Sequence, residues 1–250
     1  MKFKNKVVVV TGAGSGFGRG IAECFAAEGA NVVVADVNAE GGRQTAEALE
    51  AKGVKAMFVA CDVTRSADMK GLVNAVLERL GRLDVFVNNA GVSHRIESMS
   101  AVSEDEFDRV MDINVKSLYL SAKYVAPYFI SQGGGCFVNI GSVSANRPRP
   151  GIAWYAASKA AAIVASRSMA LELAPHGIRV NVINPVAGDT PFLGAHGQDS
   201  PDLREKFVAS IPLGRLAVPA DIGHAAVFLA SEEASLITGA SLDVDGGRSI

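Results

Sequence analysis

The sequence has little of what builds disulfide frameworks or metal sites. Its 250 residues include three cysteines, four histidines and one tryptophan. Cys24, Cys61 and Cys136 are far apart and form no Cys-x-x-Cys pair, which argues against a disulfide framework or a zinc site. The histidines show no His-x-x-x-His spacing, so we expect no dedicated metal site.

The chain also lacks an excess of one charge and a long apolar run. Its 24 basic and 26 acidic residues leave a net charge of −2, which gives no electrostatic reason to expect nucleic acid or an anionic membrane as a partner. No run approaches transmembrane length, and the four valines after MKFKNK are too few for a signal peptide. We therefore expect a cytoplasmic protein.

Short apolar runs alternate with longer amphipathic segments along the chain. The runs are mostly continuous, which is typical of strands buried on both faces of a parallel sheet. The predicted strands are Val7–Val10, Asn31–Asp36, Ala56–Ala60, Val85–Asn88, Cys136–Ile140, Val180–Asn184 and Ser241–Val244. The predicted helices include Gly18–Glu28, Gly41–Lys52, Ser66–Leu80, Glu104–Ser131 and Tyr155–Ala174. This alternation predicts an α/β fold: one Rossmann-type, doubly wound parallel sheet of about seven strands, with helices on both faces and a single domain over residues 1–250.

One segment breaks the alternation. Residues 185–212 contain four prolines and three glycines and are longer than the usual connection in such folds. The segment follows the carboxyl end of a predicted strand, the edge at which ligands bind in open α/β sheets. We expect it to be a substrate loop.

A glycine-rich turn, TGAGSGFG, lies between the first strand and the first helix. It matches neither the strict G-x-G-x-x-G pattern nor the Gly-Lys-Ser/Thr of a P-loop. Glycines here permit positive φ and let backbone N–H groups approach a pyrophosphate, although a merely tight turn would also explain them. The strand–turn–helix context favours a dinucleotide site, which would include Gly12, Ser15, Gly16, Phe17 and Gly18.

Asp36 ends the second strand. A carboxylate there can accept both hydroxyls of a ribose and would repel a 2′-phosphate, which favours NAD(H) over NADP(H). An aspartate that only caps the turn is the alternative. Small and amide-bearing residues at the next two strand ends would complete the adenosine cleft: Asp62, Val63, Asn89, Ala90 and Gly91.

Tyr155 and Lys159 stand four residues apart in WYAASKAA and therefore share one helix face. A phenol with the usual pKa of about 10 is a poor acid–base group at neutral pH. A nearby ammonium and an oxidised nicotinamide would favour the phenolate, so we expect a lowered Tyr155 pKa and general acid–base catalysis. Ser142 ends the fifth strand and could face the same cleft. The alternative is a surface aromatic followed by a surface charge.

TGAGSGFG, NNAG, the serine of IGSVS and YAASK resemble, in order and spacing, the motifs of the short-chain dehydrogenase/reductase family. The resemblance covers essentially the whole chain. It implies an NAD-dependent oxidoreductase that interconverts a secondary alcohol and a ketone, with a small-molecule substrate. It further implies that Tyr155 is the acid–base group, that Lys159 binds the nicotinamide ribose, and that Ser142 hydrogen-bonds the substrate oxygen. Asn114 would position a water of the proton relay through a local helix distortion.

The chain departs from the family pattern after the sixth strand. The family commonly has Pro-Gly there, with a threonine four residues after the glycine. Here Pro185 is followed by Val186, and Gly188 comes two residues later, while Thr190 is retained. The resemblance still implies that Gly188 and Thr190 contact the cofactor.

Residues that flank the catalytic set are candidates for substrate binding. They are His94, Ser144, Arg149, Trp154, Val186 and Phe192, with Ser93, Arg147, Ile152 and Leu193 beside them. Their largely apolar character suits a hydrophobic or cyclic alcohol or ketone. An arginine of NRPRPG could instead bind a carboxylate or an acyl-carrier phosphate, and a solvated turn is the alternative.

The sequence also allows two other functions, and the resemblance implies an oligomer. Reduction of a 3-oxoacyl thioester is a second family activity, and a dinucleotide-binding sensor without catalysis is a function of another class. Asp36 argues against an NADP-preferring reductase, and the retained catalytic set argues against a sensor. In this family the helix that contains YAASK packs across a subunit interface, which implies a homotetramer or homodimer. A buried intramolecular helix would explain its alanines equally well.

Overall fold

A computed structural model describes residues 1–194 and 201–250. Seven strands form one sheet in the order β3-β2-β1-β4-β5-β6-β7, and all neighbours are parallel. The predicted parallel sheet is therefore confirmed. Its strands are β1 (Val7–Thr11), β2 (Asn31–Asp36), β3 (Ala56–Ala60), β4 (Val85–Asn88), β5 (Gly135–Ile140), β6 (Ile178–Pro185) and β7 (Ser241–Val244).

Helices cover both faces of the sheet. They are α1 (Gly16–Ala27), α2 (Ala39–Glu50), α3 (Ser66–Leu80), α4 (Glu104–Met111), α5 (Ser117–Gln132), α6 (Ala153–Leu173), α7 (Pro191–Gly194), α8 (Pro201–Ala209) and α9 (Pro219–Ala230). Side chains of β1 alternate between two buried clusters. Val8 and Val10 pack with α1, α2 and α9, while Val7 and Val9 pack with α3, α5 and α6. Burial on both faces explains why this strand is a continuous run of valine.

Two predicted segments differ from the structure. The predicted helix Glu104–Ser131 is divided into α4 and α5 by a π-helical turn at Asp112–Lys116. The predicted loop 185–212 contains the short helices α7 and α8, and α9 was not among the predicted helices. Residues 195–200 of that loop, which include His196, lie outside the described residues.

Helices α1 and α9 approach each other closely because glycines lie between them. A Cβ atom on Gly20 would lie 2.3 Å from the Pro219 Cβ, and one on Gly223 would lie 2.4 Å from the Cys24 Sγ. Any larger side chain at either position would push the helices apart. This contact fixes α1, whose first turn borders the site described below.

Cys24, Cys61 and Cys136 are all free thiols. Burial raises the pKa of Cys61 to about 12 and that of Cys136 to about 11, so both remain protonated at neutral pH. Within residues 1–194 and 201–250, no three His, Cys, Asp or Glu side chains cluster as metal ligands do. Over the same ranges, no helix combines the length and apolar character needed to cross a membrane.

Candidate functional site

The carboxyl ends of the central strands border one cavity of about 520 Å³. It lies where the strand order reverses between β1 and β4, the position at which ligands bind in open α/β sheets. All fifteen residues predicted to bind the cofactor line it: Gly12, Ser15, Gly16, Phe17, Gly18, Asp36, Asp62, Val63, Asn89, Ala90, Gly91, Tyr155, Lys159, Gly188 and Thr190. Ser142 of the catalytic set lines it too, whereas Asn114 is buried and does not.

The glycine turn leaves no room for side chains on its inner side. A Cβ atom on Gly18 would lie 2.1 Å from the Gly12 carbonyl oxygen, and the Asn89 Nδ2 donates to that same oxygen at 3.1 Å. Helix α1 begins at Gly16, and its N-cap residue Ser15 provides no side-chain capping hydrogen bond. Its first N–H groups are therefore free to bind an anion, which fits a pyrophosphate.

Asp36 both caps a turn and faces the cavity. One carboxylate oxygen accepts from the Gly14 N–H and the other from the Asn38 N–H, each at 2.8 Å. These bonds fix the orientation of the carboxylate, and each oxygen retains a lone pair that can accept a hydroxyl hydrogen bond. The two interpretations of Asp36 made from the sequence are therefore compatible.

Asn114 joins three elements of the site. Its Oδ1 accepts from the Val92 N–H at 2.9 Å, and its Nδ2 donates to the Val92 carbonyl at 2.8 Å and to the Ser158 Oγ at 2.9 Å. The residue lies in the π-helical turn, so the expected helix distortion is present at this position. The side chain links the segment after β4 to α6, next to Lys159.

Burial acts in opposite directions on the pKa values of Tyr155 and Lys159. Both residues have charged forms that burial disfavours. The pKa of Lys159 is lowered to about 8 by burial, and its Nζ donates to the Ile140 carbonyl at 2.8 Å. The pKa of Tyr155 is raised by burial, while a hydrogen bond with Ser142 and the charge of Arg149 oppose this shift.

The expected lowering of the Tyr155 pKa therefore does not hold for the chain without cofactor. Desolvation of the phenolate is the largest effect on that pKa. The cation that opposes it is Arg149 rather than Lys159. The spacing of Tyr155 and Lys159 shows an ammonium one helical turn from the phenol, but it does not show how far burial raises the Tyr155 pKa.

The predicted substrate residues divide into two groups. Ser144, Arg149, Val186 and Phe192 line the cavity, as do their neighbours Ser93, Arg147, Ile152 and Leu193. His94 and Trp154 do not. The His94 ring is fully buried, and its Nδ1 lies 2.7 Å from the Arg95 carbonyl oxygen. The Trp154 indole donates to the Met99 carbonyl at 3.0 Å and packs edge-to-face on Phe107. Both side chains are therefore held by contacts within the protein away from the cavity, although the buried His94 Nε2 has no hydrogen-bond partner among the described residues.

Phe207 and Arg248 line the cavity but were missed from the sequence. Phe207 lies in α8, a helix that was expected to be loop. Arg248 follows the Asp-Gly-Gly after β7, and its position just beyond a strand's carboxyl end was the available signal.

The chain accommodates Val186 in the position of the usual glycine. Val186 is buried in a small apolar cluster with Val143 and Leu193. The backbone beyond it pairs with the segment before α9, since the Asp189 N–H donates to the Ala217 carbonyl at 2.8 Å. Thr190 thereby lies opposite the glycine turn, with its Cβ 3.4 Å from where a Gly16 Cβ would be.

Comparison with known proteins identifies the family. The family model described as Enoyl-(Acyl carrier protein) reductase matches residues 12–249. The 4-formylbenzenesulfonate dehydrogenase of Comamonas testosteroni is 48% identical over 100% of both chains. The chain belongs to the short-chain dehydrogenase/reductase family. This short-chain dehydrogenase/reductase is also 40% identical to the meso-2,3-butanediol dehydrogenase of Serratia marcescens, over 99% of this chain and 96% of that one. The crystal structure of a 3-ketoacyl-(acyl-carrier-protein) reductase from Brucella melitensis complexed with NADH is similar with a TM-score of 0.94, at 43% identity over 99% of both chains.

The lowered pKa of Lys159 predicts a pH-dependent difference in stability. The folded-state value is about 8 against an ordinary 10.5, so between these values the unfolded chain binds more protons at this residue. Wild-type stability should therefore rise relative to that of Lys159→Met as pH increases through this interval, by up to about 3 kcal/mol. Denaturant unfolding of both proteins at about pH 7 and about pH 10 measures the difference. Lys70→Met, at an exposed position of α3, controls for the loss of a lysine as such. If the free energies of unfolding of wild type and Lys159→Met differ by the same amount at both pH values, the prediction is contradicted.

Proposed function

We propose that this chain is an NAD(H)-dependent oxidoreductase that interconverts a secondary alcohol and a ketone. The observation that supports this most strongly is the presence of Ser142, Tyr155 and Lys159 in the same cavity as the glycine turn and Asp36. The names of two similar proteins, a 4-formylbenzenesulfonate dehydrogenase and a meso-2,3-butanediol dehydrogenase, support an enzyme that acts on an alcohol or carbonyl group. The NADH complex of the Brucella melitensis protein supports the cofactor.

The cofactor contacts follow the strand ends. The first N–H groups of α1 bind the pyrophosphate, Asp36 accepts hydrogen bonds from the adenosine ribose, and Lys159 binds the nicotinamide ribose. Asp62, Val63 and the segment Asn89–Gly91 border the adenosine half, and Gly188 and Thr190 border the nicotinamide half. When bound, the nicotinamide ring accepts or supplies the hydride.

The chain's own residues transfer the proton. In the reducing direction Tyr155 donates its phenolic proton to the substrate carbonyl oxygen, and in the oxidising direction it takes the proton of the alcohol. Ser142 opposes the rise of the Tyr155 pKa, lines the same cavity and is proposed to donate to the same substrate oxygen. Asn114 continues the proton path by positioning a water at the π-helical turn beside Lys159. The described parts of the segment 185–212 contribute to substrate binding, with Val186 and Phe192 as walls of the substrate end of the cavity.

Reduction of a 3-oxoacyl thioester is a second candidate for the same machinery. The name of the Brucella melitensis protein, a 3-ketoacyl-(acyl-carrier-protein) reductase, favours it. The fixed carboxylate of Asp36 favours NAD(H), which suits a dehydrogenase better than a biosynthetic reductase. A dinucleotide sensor without catalysis would require none of the proton-transfer residues, so measurable turnover separates it from both enzymes.

Tyr155→Phe should bind NADH normally and lose about 10²- to 10⁴-fold in turnover, because general acid–base catalysis contributes on that scale. Phenylalanine keeps the aromatic ring and removes only the hydroxyl. The measurement is NADH fluorescence titration together with steady-state rates on a panel of secondary alcohols and ketones. Tyr128→Phe, on α5, is the control and should keep wild-type rates. Full activity of Tyr155→Phe would overturn the proposed mechanism.

Asp36 should make NADH bind at least about tenfold more tightly than NADPH, which corresponds to about 1.4 kcal/mol of charge repulsion. Asp36→Asn removes the charge, keeps one acceptor oxygen, and should bring the two dissociation constants closer together. Asp108→Asn, exposed on α4, removes a negative charge elsewhere and should leave their ratio unchanged. A wild-type preference for NADPH would contradict the assignment of the cofactor.

We further propose a cytoplasmic homotetramer. The free thiols support a reducing compartment. Helix α6 leaves Val164 and Leu171 63% and 80% exposed, and α5 leaves Tyr119 58% exposed, as helices that pack on a second subunit do. Light scattering should give four times the 26.0 kDa chain, about 104 kDa. Val164→Asp should reduce this mass, and a wild-type monomer would exclude the assembly.

A further inference from the structure

The two ends of the cavity are lined by side chains of opposite charge. Among the described residues, the acidic side chains that line it are Asp36 and Asp62, which follow β2 and β3. The end near Tyr155 is lined instead by Arg147, Arg149 and Arg248. The chain as a whole has a net charge of −2, so this concentration of positive charge is a local feature.

Arg147 is used by the protein itself. Its guanidinium donates to the main-chain oxygens of Arg248 and Ile250. The preceding turn is fixed by Asp245, whose carboxylate accepts from the Gly247 N–H at 2.9 Å and from the Ser249 N–H at 2.7 Å. These contacts hold the backbone around Arg248 at the rim of the cavity, so its side chain is presented from an ordered turn.

Within residues 1–194 and 201–250, neither Arg149 nor Arg248 forms an ion pair with a carboxylate. Several other arginines pair with carboxylates, as Arg82 does with Asp84 and Arg215 with Asp221. In the part of the chain that the structure describes, neither Arg149 nor Arg248 has a carboxylate within 4.0 Å. Arg149 is half-buried over the Phe207 ring, with 5.1 Å between its Cζ and the ring centroid.

Burial and the nearby charge of Arg248 both lower the pKa of Arg149, in that order of size. Each effect reflects a cost of keeping the guanidinium charged at this position. A half-buried charge that repels a second charge and has no partner is stabilised when an anion binds between the two. Carboxylate and sulfonate groups match the planar, multiply donating guanidinium.

We propose that the substrate carries a carboxylate or sulfonate group a few bonds from its reacting carbon, and that Arg149 and Arg248 bind this group. The proposal rests on the proposed function, because it names the substrate class of the same site. Aromatic walls complete the specificity. The Phe192 ring lies 6.2 Å from the Tyr155 ring, and Phe207 lies under Arg149, so an apolar or aromatic body fits between the reacting carbon and the anionic group.

A phosphate of a thioester carrier is a different source of negative charge. Arg149 lines the same cavity as Tyr155, and its charge acts on the phenol, so an anion bound by Arg149 lies near the reacting atoms. In a carrier thioester the phosphate is separated from the carbonyl by the long pantetheine arm. This geometry favours an anionic group on the substrate itself.

The first experiment compares substrates that differ only in charge. Wild-type kcat/KM is measured with two anionic ketones, 4-acetylbenzoate and 4-acetylbenzenesulfonate, and with the neutral 4-methylacetophenone. Acetoacetyl-CoA is the fourth substrate and tests the alternative of a thioester carrier. We expect the two small anions to exceed the neutral ketone by about 10- to 100-fold, the scale of a hydrogen bond to a charged group. Equal values for anionic and neutral ketones would overturn the inference while leaving the proposed function intact.

Variants then assign the preference to the arginines. Arg149→Met and Arg248→Met should each lower kcat/KM for the anionic ketones far more than for the neutral ketone, chiefly through KM, and so remove most of the preference for anions. Arg43→Met is the matched control, because Arg43 also stacks on a phenylalanine, at 5.8 Å from Phe58, and does not line the cavity. An effect on acetoacetyl-CoA alone would assign the arginines to a carrier phosphate and overturn the inference. An equal loss of kcat on all ketones with a shifted pH profile would make Arg149 a positioning residue for Tyr155 and would also overturn it.

A binding measurement separates this inference from the proposed reaction. Calorimetric titration of the NAD⁺-loaded protein with benzoate and benzenesulfonate requires no turnover, and benzamide serves as the neutral ligand. We expect both anions to bind wild type at least about tenfold more tightly than they bind Arg149→Met. Binding of the anions without turnover of any ketone or alcohol would count against the proposed function and support the anion site. No preference for the anions over benzamide would overturn the anion site, whatever the rates.

Discussion

Every strand of the sheet runs in the same direction, so all seven carboxyl ends lie at one edge. At that edge the chain leaves β1 toward one face of the sheet and β4 toward the other. Parallel strands require crossover helices, and right-handed crossovers from a central strand place those helices on both sides. The crevice between the two halves is the cavity described above. Residues as distant in sequence as Gly12, Asp36, Asn89, Ser142 and Tyr155 meet there because each follows a strand or begins the next helix.

Burial at this edge determines the acid–base properties of the site. Burial favours the neutral form of both Tyr155 and Lys159, so it raises the pKa of the phenol and lowers the pKa of the ammonium to about 8. Ser142 and Arg149 oppose the shift of Tyr155. A positively charged nicotinamide would act in the same direction as Arg149. The cofactor would therefore contribute to the proton transfer through its charge as well as to the hydride transfer.

The division of charge along the cavity gives a bound ligand one orientation. Carboxylates at the ends of β2 and β3 suit the hydroxyls of an adenosine, the free N–H groups of α1 suit a pyrophosphate, and arginines border the other end. The adenosine end is built from strand ends and a helix start, which the sheet holds rigidly. The arginine end is built from the segment after β5, from α8 and from the turn after β7. Differences among relatives in these connecting segments can change the substrate without altering the cofactor site.

The sequence by itself determined the sheet, the positions of its strands and the residues at their carboxyl ends, because buried valine runs and glycine turns are local signals. It also indicated Asp36, Ser142, Tyr155 and Lys159, whose spacing reflects one strand end or one helical turn. Only the tertiary structure decided that His94 and Trp154 lie away from the cavity and that Phe207 and Arg248 line it. It alone also decided that burial outweighs neighbouring charge at Tyr155. These outcomes depend on which distant segments pack together, and desolvation is a property of that packing that no local pattern records.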